Sequence, residues 1–160
     1  MKDRNFDDLA EKFTQNIYGT AKGQIRQAIL WDELNVILAG LPQRALSVVD
    51  AGGGIGQISS KLALQGHNVL LADVSGEMLK RAEQHARQLG ADNNMVIKQM
   101  RAQDIADHLD KPADLVLFHA VLEWIAEPEL TLKGLYDASA PAGMLSLSFS
   151  NLHGLTMHNL

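Results

Sequence analysis

The chain has 160 residues, a formal net charge of −5 and no cysteine. This length suits a single domain with its own core, and the lack of cysteine excludes disulfides and thiolate metal sites. Residues 1–5 are mostly polar and lack the apolar segment of a signal peptide, and no apolar run approaches the ~18 residues of a membrane span. The acidic balance argues against a general nucleic-acid-binding surface but not against a local basic patch. We therefore expect a soluble, cytoplasmic protein without a membrane partner.

Helical and strand patterns then alternate along the chain. Residues 6–16 have a polar helical pattern, and residues 22–38 predict an amphipathic helix that ends at Gly40. Gly66 and Gly90 are expected to end two later helices with positive φ. The predicted apolar face of the first long helix contains Ile25, Ile29, Trp31, Leu34, Ile37 and Leu38. The predicted strands are 46–50, 68–73, 95–99, 114–119 and 143–149, and the predicted helices between them are 56–65, 76–89, 103–109 and 128–139.

This alternation predicts an α/β fold with a mostly parallel sheet and helices on both faces. Ligands of such folds bind at the carboxyl ends of the strands, near the point where the strand order reverses. We divide the chain into an N-terminal helical segment, residues 1–42, which covers the ligand site, and a core domain, residues 43–160.

The most informative segment is the glycine-rich turn after the first predicted strand. Residues 48–50 (VVD) end a β-branched run with an acid, and residues 51–57 (AGGGIGQ) lead into a helix. Glycines let the backbone take positive φ and approach a ligand, and N–H groups at a helix N-terminus favour polar or anionic groups. The dinucleotide pattern G-x-G-x-x-G lacks its third glycine here, which disfavours a nicotinamide reductase. The spacing D-x-G-x-G-x-G predicts that the turn binds another nucleoside-containing cofactor.

A second acid at a strand end supports this prediction. Asp73 closes the next apolar run and follows Gly56 by 17 residues. A carboxylate held at this point can accept hydrogen bonds from ribose hydroxyls. Asp73 could instead cap the following helix, although Ser75 is also a suitable cap.

The glycine spacing resembles motif I of the class I S-adenosyl-L-methionine (SAM) methyltransferases, and longer strings narrow the resemblance. They are similar to the bacterial tRNA 5-carboxymethoxyuridine methyltransferases across all 160 residues. The strings are DRNFDD (3–8), AEKF (10–13), NIYGT (16–20), KGQ (22–24), RQAILW (26–31), DAGGG (50–54), FHAVLEW (118–124) and NLHGL (151–155). This resemblance implies a Rossmann-like methyltransferase fold, SAM as cofactor and tRNA as substrate. It also implies that the carboxylate of 5-carboxymethoxyuridine at the wobble position is methylated to the methyl ester.

The resemblance further implies roles for individual residues. Gly52 and Gly53 would line the methionine end of SAM, and Asp73 would hold the ribose. Ala102 and Gln103 would border the adenine.

Two more residues are implied from other parts of the chain. Arg26 would reach the cofactor carboxylate, and His119 would lie near the reacting end as a cofactor-binding residue and the candidate catalytic one. Read from the residues alone, Gln103 or Asp104 could simply cap a short helix, His119 could be structural and Arg26 could face solvent. A carboxylate acceptor is already ionised at neutral pH, so we expect catalysis by positioning, without an obligatory general base. No spacing of side chains suggests a metal site.

The family fold has seven strands, whereas five are predicted here, so we expect the C-terminal strands to be missing. The fifth strand would then be an apolar edge that another chain could cover, with a homo-oligomer as one possibility. Two alternative functions remain open. The chain could methylate a small-molecule acceptor, or it could be a SAM-binding module without turnover.

Overall fold

The computed structural model describes Asp7 and residues 20–150, which fold around one parallel sheet. The strands are β1 (Ser47–Ala51), β2 (Asn68–Asp73), β3 (Met95–Gln99), β4 (Ala113–His119) and β5 (Ser139–Ser148). The α-helices are α1 (Ala21–Gly40), α2 (Gln57–Leu64), α3 (Gly76–Leu89) and α4 (Pro128–Ala138). Three 3-10 segments complete the order, Asp92–Asn94, Ala102–His108 and Leu122–Trp124. Apart from Asp7, the predicted helix 6–16 lies outside the described residues.

The strand order β3-β2-β1-β4-β5 places the first strand in the middle of the sheet. The chain extends the sheet first on one side of β1 and then on the other, so the order reverses between β1 and β4. Both strands are almost fully buried, as strands covered by helices on both faces must be. The predicted α/β class and parallel sheet are confirmed. The carboxyl ends of β1 and β4 form the crevice in which a ligand is expected.

The end of β1 and β4 that lies away from this crevice is held by an exposed ion pair. Arg44 donates two hydrogen bonds to the carboxylate of Asp114, at 2.9 and 2.7 Å, and the Ser47 N–H donates to the same group. The Arg44 guanidinium holds the pKa of Asp114 below its ordinary value. These contacts fix the register of the two central strands at their starts.

Helix α1 differs from the prediction in the face that it buries. Leu34 is buried, but Ile25 and Ile29 are 60% and 59% exposed. At 100° per residue, Ile25, Ile29 and Val36 lie on one side of the helix and Leu34 lies on the opposite side. The helix therefore has two apolar stripes. The sequence alone did not show which of them faces the core, and grouping them as one face was wrong for Ile25 and Ile29.

Other element boundaries follow local chemistry. Ser75 caps α3, since its hydroxyl accepts a hydrogen bond from the Met78 N–H at 3.2 Å. Gly66 and Gly90 have φ of 90° and 74°, as predicted for residues at helix ends. The predicted helix 103–109 is a 3-10 segment, and β5 begins four residues before the predicted 143. Pro141 lies in this stretch, and a proline argues against a strand when only the sequence is known. β5 is an edge strand, and because proline has no N–H to donate, it is tolerated where the backbone N–H would face away from the neighbouring strand.

The buried side chains form a core on each face of the sheet. Leu34, Leu62 and Leu115 belong to one cluster, and Trp31 packs against it with Lys61 lying 4.9 Å from its ring centroid. Phe118, Ile105 and Leu135 belong to the other cluster. No helix within the described residues is long and apolar enough to cross a membrane.

Candidate functional site

The glycine turn after β1 has the backbone conformation that its spacing predicts. Gly52, Gly54 and Gly56 have φ of 71°, 56° and 72°. A Cβ added at Gly52 would lie 2.5 Å from a methyl carbon of Val121, which follows β4. A Cβ at Gly53 would lie 2.7 Å from the Asp50 carboxyl. The turn is therefore closely packed against both central strands, and side chains are excluded at these two positions.

The N–H groups of this turn do not point toward a ligand, contrary to the sequence-based expectation. Those of Gly52 and Gly53 donate to the Ala72 carbonyl, at 2.7 and 3.3 Å. The Gly54 N–H donates to the Asp73 carboxylate at 3.0 Å. These hydrogen bonds attach the turn to the end of β2. A ligand can still come close to the Cα atoms of the turn, because glycine has no side chain. The helix donors left for a ligand are those of the first turn of α2, which have no partner within the helix.

Asp50 lies beneath the turn and is a site residue that the sequence analysis did not single out as a ligand. It is 5% exposed, and its carboxylate accepts a hydrogen bond from the Ser59 hydroxyl at 2.6 Å. Burial raises the pKa of Asp50 to about 6, a change that the Ser59 bond opposes and the charge of Asp73 reinforces. Its position as the acid that ends β1 was the signal available in the sequence.

Asp73 lies at the carboxyl end of β2 and faces the neighbouring turn. Its carboxylate accepts hydrogen bonds from the N–H groups of Gly54 and Ser75, at 3.0 and 2.9 Å. Burial raises its pKa, and these backbone donors lower it. The Val74 N–H also donates to this carboxylate, which has four lone pairs in all and so can still accept from a ligand hydroxyl. Helix capping belongs to Ser75, so this alternative role of Asp73 is not needed.

The described N-terminal residue Asp7 contacts the same corner. Its carboxylate accepts hydrogen bonds from the Ser75 hydroxyl at 2.6 Å and from the Glu77 N–H at 3.2 Å. Its negative charge also raises the pKa of Asp73.

His119 ends β4 and faces the crevice. Its Nε2 lies 2.8 Å from the Ser146 hydroxyl of β5. Burial, followed by the charge of Arg26, lowers the pKa of His119 to about 4, so the ring is neutral at physiological pH. The next residue, Ala120, has φ of 58°, which L residues rarely adopt, and its N–H donates to the Ser148 carbonyl at 2.8 Å. This strained turn directs His119 toward the crevice and Val121 onto Gly52.

Ala102 and Gln103 lie at the start of the 3-10 segment that follows β3. Ala102 is 8% exposed and packs in the same cluster as Ala72 at the end of β2. Arg101 is the N-cap residue of this segment, and its side chain makes no capping hydrogen bond. The Asp104 carboxylate forms an ion pair with the Arg101 guanidinium at 2.9 Å. The capping role considered for Gln103 and Asp104 is therefore not observed.

A cavity of about 70 Å³ lies between α1, the glycine turn and β4. Its lining residues are Gln27, Leu30, Asp50, Gly52, Gly53, Gln57, Ile58 and His119. It contains three of the residues implied by the resemblance, and Arg26 is close enough to affect the pKa of His119. Asp73 lies outside it at the end of β2, and Ala102 and Gln103 lie outside it in the 3-10 segment that follows β3. Gln27, Leu30, Gln57 and Ile58 were not foreseen, because which helix side lines a cleft depends on tertiary packing.

The arrangement is a row of polar groups along the strand ends. A buried carboxylate and a nearby guanidinium lie at one end, and a second carboxylate lies on β2. Such a row can hold an extended ligand with an amino acid part and a ribose part. Within the described ranges, no group of three or more His, Asp or Glu residues could hold a metal ion.

Comparisons with known proteins agree with this geometry. Over all 160 residues the chain is 54% identical to the tRNA 5-carboxymethoxyuridine methyltransferase of Escherichia coli K12, and it spans 61% of that protein's length. It is 30% identical, over 76% of its length, to the ubiquinone/menaquinone biosynthesis C-methyltransferase UbiE of Citrobacter koseri, of which it spans 49%.

Among solved structures, magnesium protoporphyrin IX methyltransferase from Synechocystis PCC 6803 with bound SAM matches with a TM-score of 0.70 and 24% identity. That match covers 84% of this chain and 68% of the other, and it shows that the fold is the Rossmann-like methyltransferase fold. A family model described as a methyltransferase domain matches residues 42–159. The chain therefore belongs to the methyltransferase domain family.

Proposed function

We propose that the chain is the SAM-binding part of a methyltransferase that esterifies the carboxylate of 5-carboxymethoxyuridine in tRNA. The observation that carries the proposal is the 54% identity with the E. coli tRNA enzyme over the whole chain. The site supports it, because Gly52, Asp73 and His119 lie at or just beyond the carboxyl ends of the parallel strands β1, β2 and β4. Since the chain spans 61% of that relative, the proposal for tRNA concerns the activity of the whole protein.

The residues present fit SAM. The cavity that Gly52 and Gly53 line would take the methionine part. There Asp50 would offer a buried carboxylate to its ammonium, and Arg26 would offer a guanidinium to its carboxylate. Asp73 would accept hydrogen bonds from the ribose hydroxyls. Ala102 and Gln103 would border the adenine. A cavity of about 70 Å³ is below the roughly 300–1,000 Å³ of whole-ligand pockets, so it would hold only the methionine end.

The reaction requires little acid–base chemistry from the protein. SAM supplies an electrophilic methyl group, and the acceptor carboxylate, with a reference pKa of about 4, is already ionised at neutral pH. No proton has to be removed from the acceptor. His119, with its pKa lowered to about 4, is neutral and positioned by Ser146, so we assign it to orientation and exclusion of water rather than to proton abstraction.

The test is transfer of labelled methyl from SAM to tRNA that contains unesterified 5-carboxymethoxyuridine. We expect label that mild base releases, as an ester requires, and no label in the same tRNA after prior esterification. Asp73→Ala should abolish transfer, whereas Asp92→Ala, an exposed position in the 3-10 segment Asp92–Asn94, should not. The E. coli enzyme is the positive control. The assay uses the whole protein, of which this chain is the proposed SAM-binding part. If that protein binds SAM but transfers no label to a tRNA that the control enzyme labels, the tRNA proposal fails.

A small-molecule acceptor is the second candidate. The 30% identity with a quinone-biosynthesis C-methyltransferase and the net charge of −5 favour it. Carbon methylation gives a base-stable product, so the same assay with a quinol acceptor separates the two functions. Self-association through β5 and a cytoplasmic location also remain proposals.

A further inference from the structure

Helix α4 contains a glycine where its sequence gives no local reason for one. Gly134 lies inside the helix Pro128–Ala138, where glycine costs about 1 kcal/mol relative to alanine. Gly134 does not end the helix, and its φ is not positive. A glycine at such a position indicates a close approach of another part of the backbone.

That close approach is to Gln103. A Cβ added at Gly134 would lie 2.7 Å from the Gln103 carbonyl oxygen, 3.1 Å from its Cα and 3.2 Å from its carbonyl carbon. All three atoms are backbone atoms, so no side-chain rotation could relieve the overlap. Either α4 or the 3-10 segment would have to move by several tenths of an ångström.

The segment on the other side of this contact has little freedom to move elsewhere. Ile105 is fully buried and packs in the same cluster as Leu135 and Ala138 of α4. Ala102 belongs to that cluster as well. Gly134 therefore sets the distance between α4 and the backbone at the start of the 3-10 segment.

We infer that Gly134 is a positioning residue for adenine recognition, acting through the backbone of Gln103. The inference rests on the proposed function, in which Ala102 and Gln103 border the adenine. Hydrogen bonds to the adenine edge depend on donor–acceptor distances held to a few tenths of an ångström. Alanine at position 134 moves this backbone and weakens adenine binding, while the methionine and ribose contacts at Gly53 and Asp73 stay in place.

The test compares the affinities for S-adenosylhomocysteine and S-inosylhomocysteine, which differ only at the edge of the base. In Gly134→Ala we expect S-adenosylhomocysteine to bind roughly 2- to 10-fold more weakly, the loss of about one hydrogen bond, with little change for the inosyl compound. The preference for adenine therefore falls. Gly40→Ala is the matched control, because Gly40 is also helical and a Cβ there meets nothing within 4 Å. General destabilisation would weaken both ligands equally and would leave the preference unchanged.

Unchanged preference in a folded Gly134→Ala protein overturns the inference alone. Absence of S-adenosylhomocysteine binding to the unaltered chain overturns the proposed function together with it. If the variant does not fold, NMR of the unaltered chain decides. The Gly134 amide signal should then differ between the two ligand complexes while that of Gly40 does not, and identical Gly134 signals overturn the inference.

Discussion

The two sides of the crevice are built differently. On the β1–β2 side, the N–H groups of Gly52, Gly53 and Gly54 bind acceptors at the end of β2, and the turn is fixed by its own backbone. On the β4–β5 side, His119 depends on one hydroxyl of Ser146, and Ala120 has an unfavourable positive φ. The first side is a preformed binding surface. The second is held by β5, whose apolar side chains are partly exposed, so its geometry depends more on neighbouring contacts.

The largest effect is expected on the preformed side, from Gly52→Ala. Left-handed backbone costs an alanine about 1–2 kcal/mol, and contact with Val121 at 2.5 Å adds roughly 1–3 kcal/mol of overpacking. Gly66→Ala is the control, because Gly66 also has positive φ, at 90°, but open space around its Cα. Urea unfolding should show a clearly larger loss of unfolding free energy for Gly52→Ala than for Gly66→Ala. Equal losses would mean that the contact between the turn and Val121 contributes nothing.

Asp50→Asn tests the buried charge on the same side. Because burial raises the pKa of Asp50 to about 6, its protonated form favours folding. Protonated Asp50 contributes roughly 3 kcal/mol to the free energy of unfolding. This contribution is complete below pH ~4 and is lost as the pH rises through about 6. Urea unfolding at pH 5 and pH 8 should show about half of this loss in the unaltered chain and its reduction in the variant.

The same substitution should also weaken SAM binding at pH 8, because it removes the charge proposed to face the ammonium. Titration calorimetry measures this affinity. If Asp50→Asn binds SAM as tightly as the unaltered chain does, the methionine ammonium does not rely on Asp50.

On the β4–β5 side, Ser146→Ala removes the hydroxyl that contacts His119 Nε2. One hydrogen bond of this kind contributes about 0.5–1.5 kcal/mol. The tautomer and ring orientation of His119, followed by ¹⁵N NMR, should become mixed. Ser148→Ala, two residues further along β5, is the control. A single unchanged tautomer in Ser146→Ala would show that burial alone orients the ring.

The smallest effect should come from Ala120→Gly. Glycine relieves the strain at φ 58°, worth about 1–2 kcal/mol, but it adds about 0.4–1 kcal/mol of unfolded-chain entropy. We expect a net stabilisation of about 0–1.6 kcal/mol in thermal unfolding, together with weaker SAM binding if the strain helps to hold His119. Destabilisation would mean that this turn is not strained.

The sequence predicted features that depend on local chemistry. Glycine spacing gave the positive φ of Gly52 and Gly56, and apolar runs gave the strands and the parallel sheet. Features set by distant neighbours were out of reach. The N–H groups of Gly52 and Gly53 donate to the Ala72 carbonyl on another strand, which is distant in sequence. Likewise, which side of α1 faces the core depends on the elements that pack against it. The roles implied for Arg26, Asp73 and His119 came from resemblance and remain to be tested by binding experiments.

The packing of Trp31 beneath Lys61 also provides a means of observation. The chain has two tryptophans, Trp31 on α1 and Trp124 just beyond β4. Trp31 packs against a core cluster, whereas Trp124 is 42% exposed, so their intrinsic fluorescence comes from two different environments. Trp31→Phe and Trp124→Phe would each leave a single tryptophan, so the fluorescence of each segment could be followed separately during unfolding or ligand addition without an attached dye.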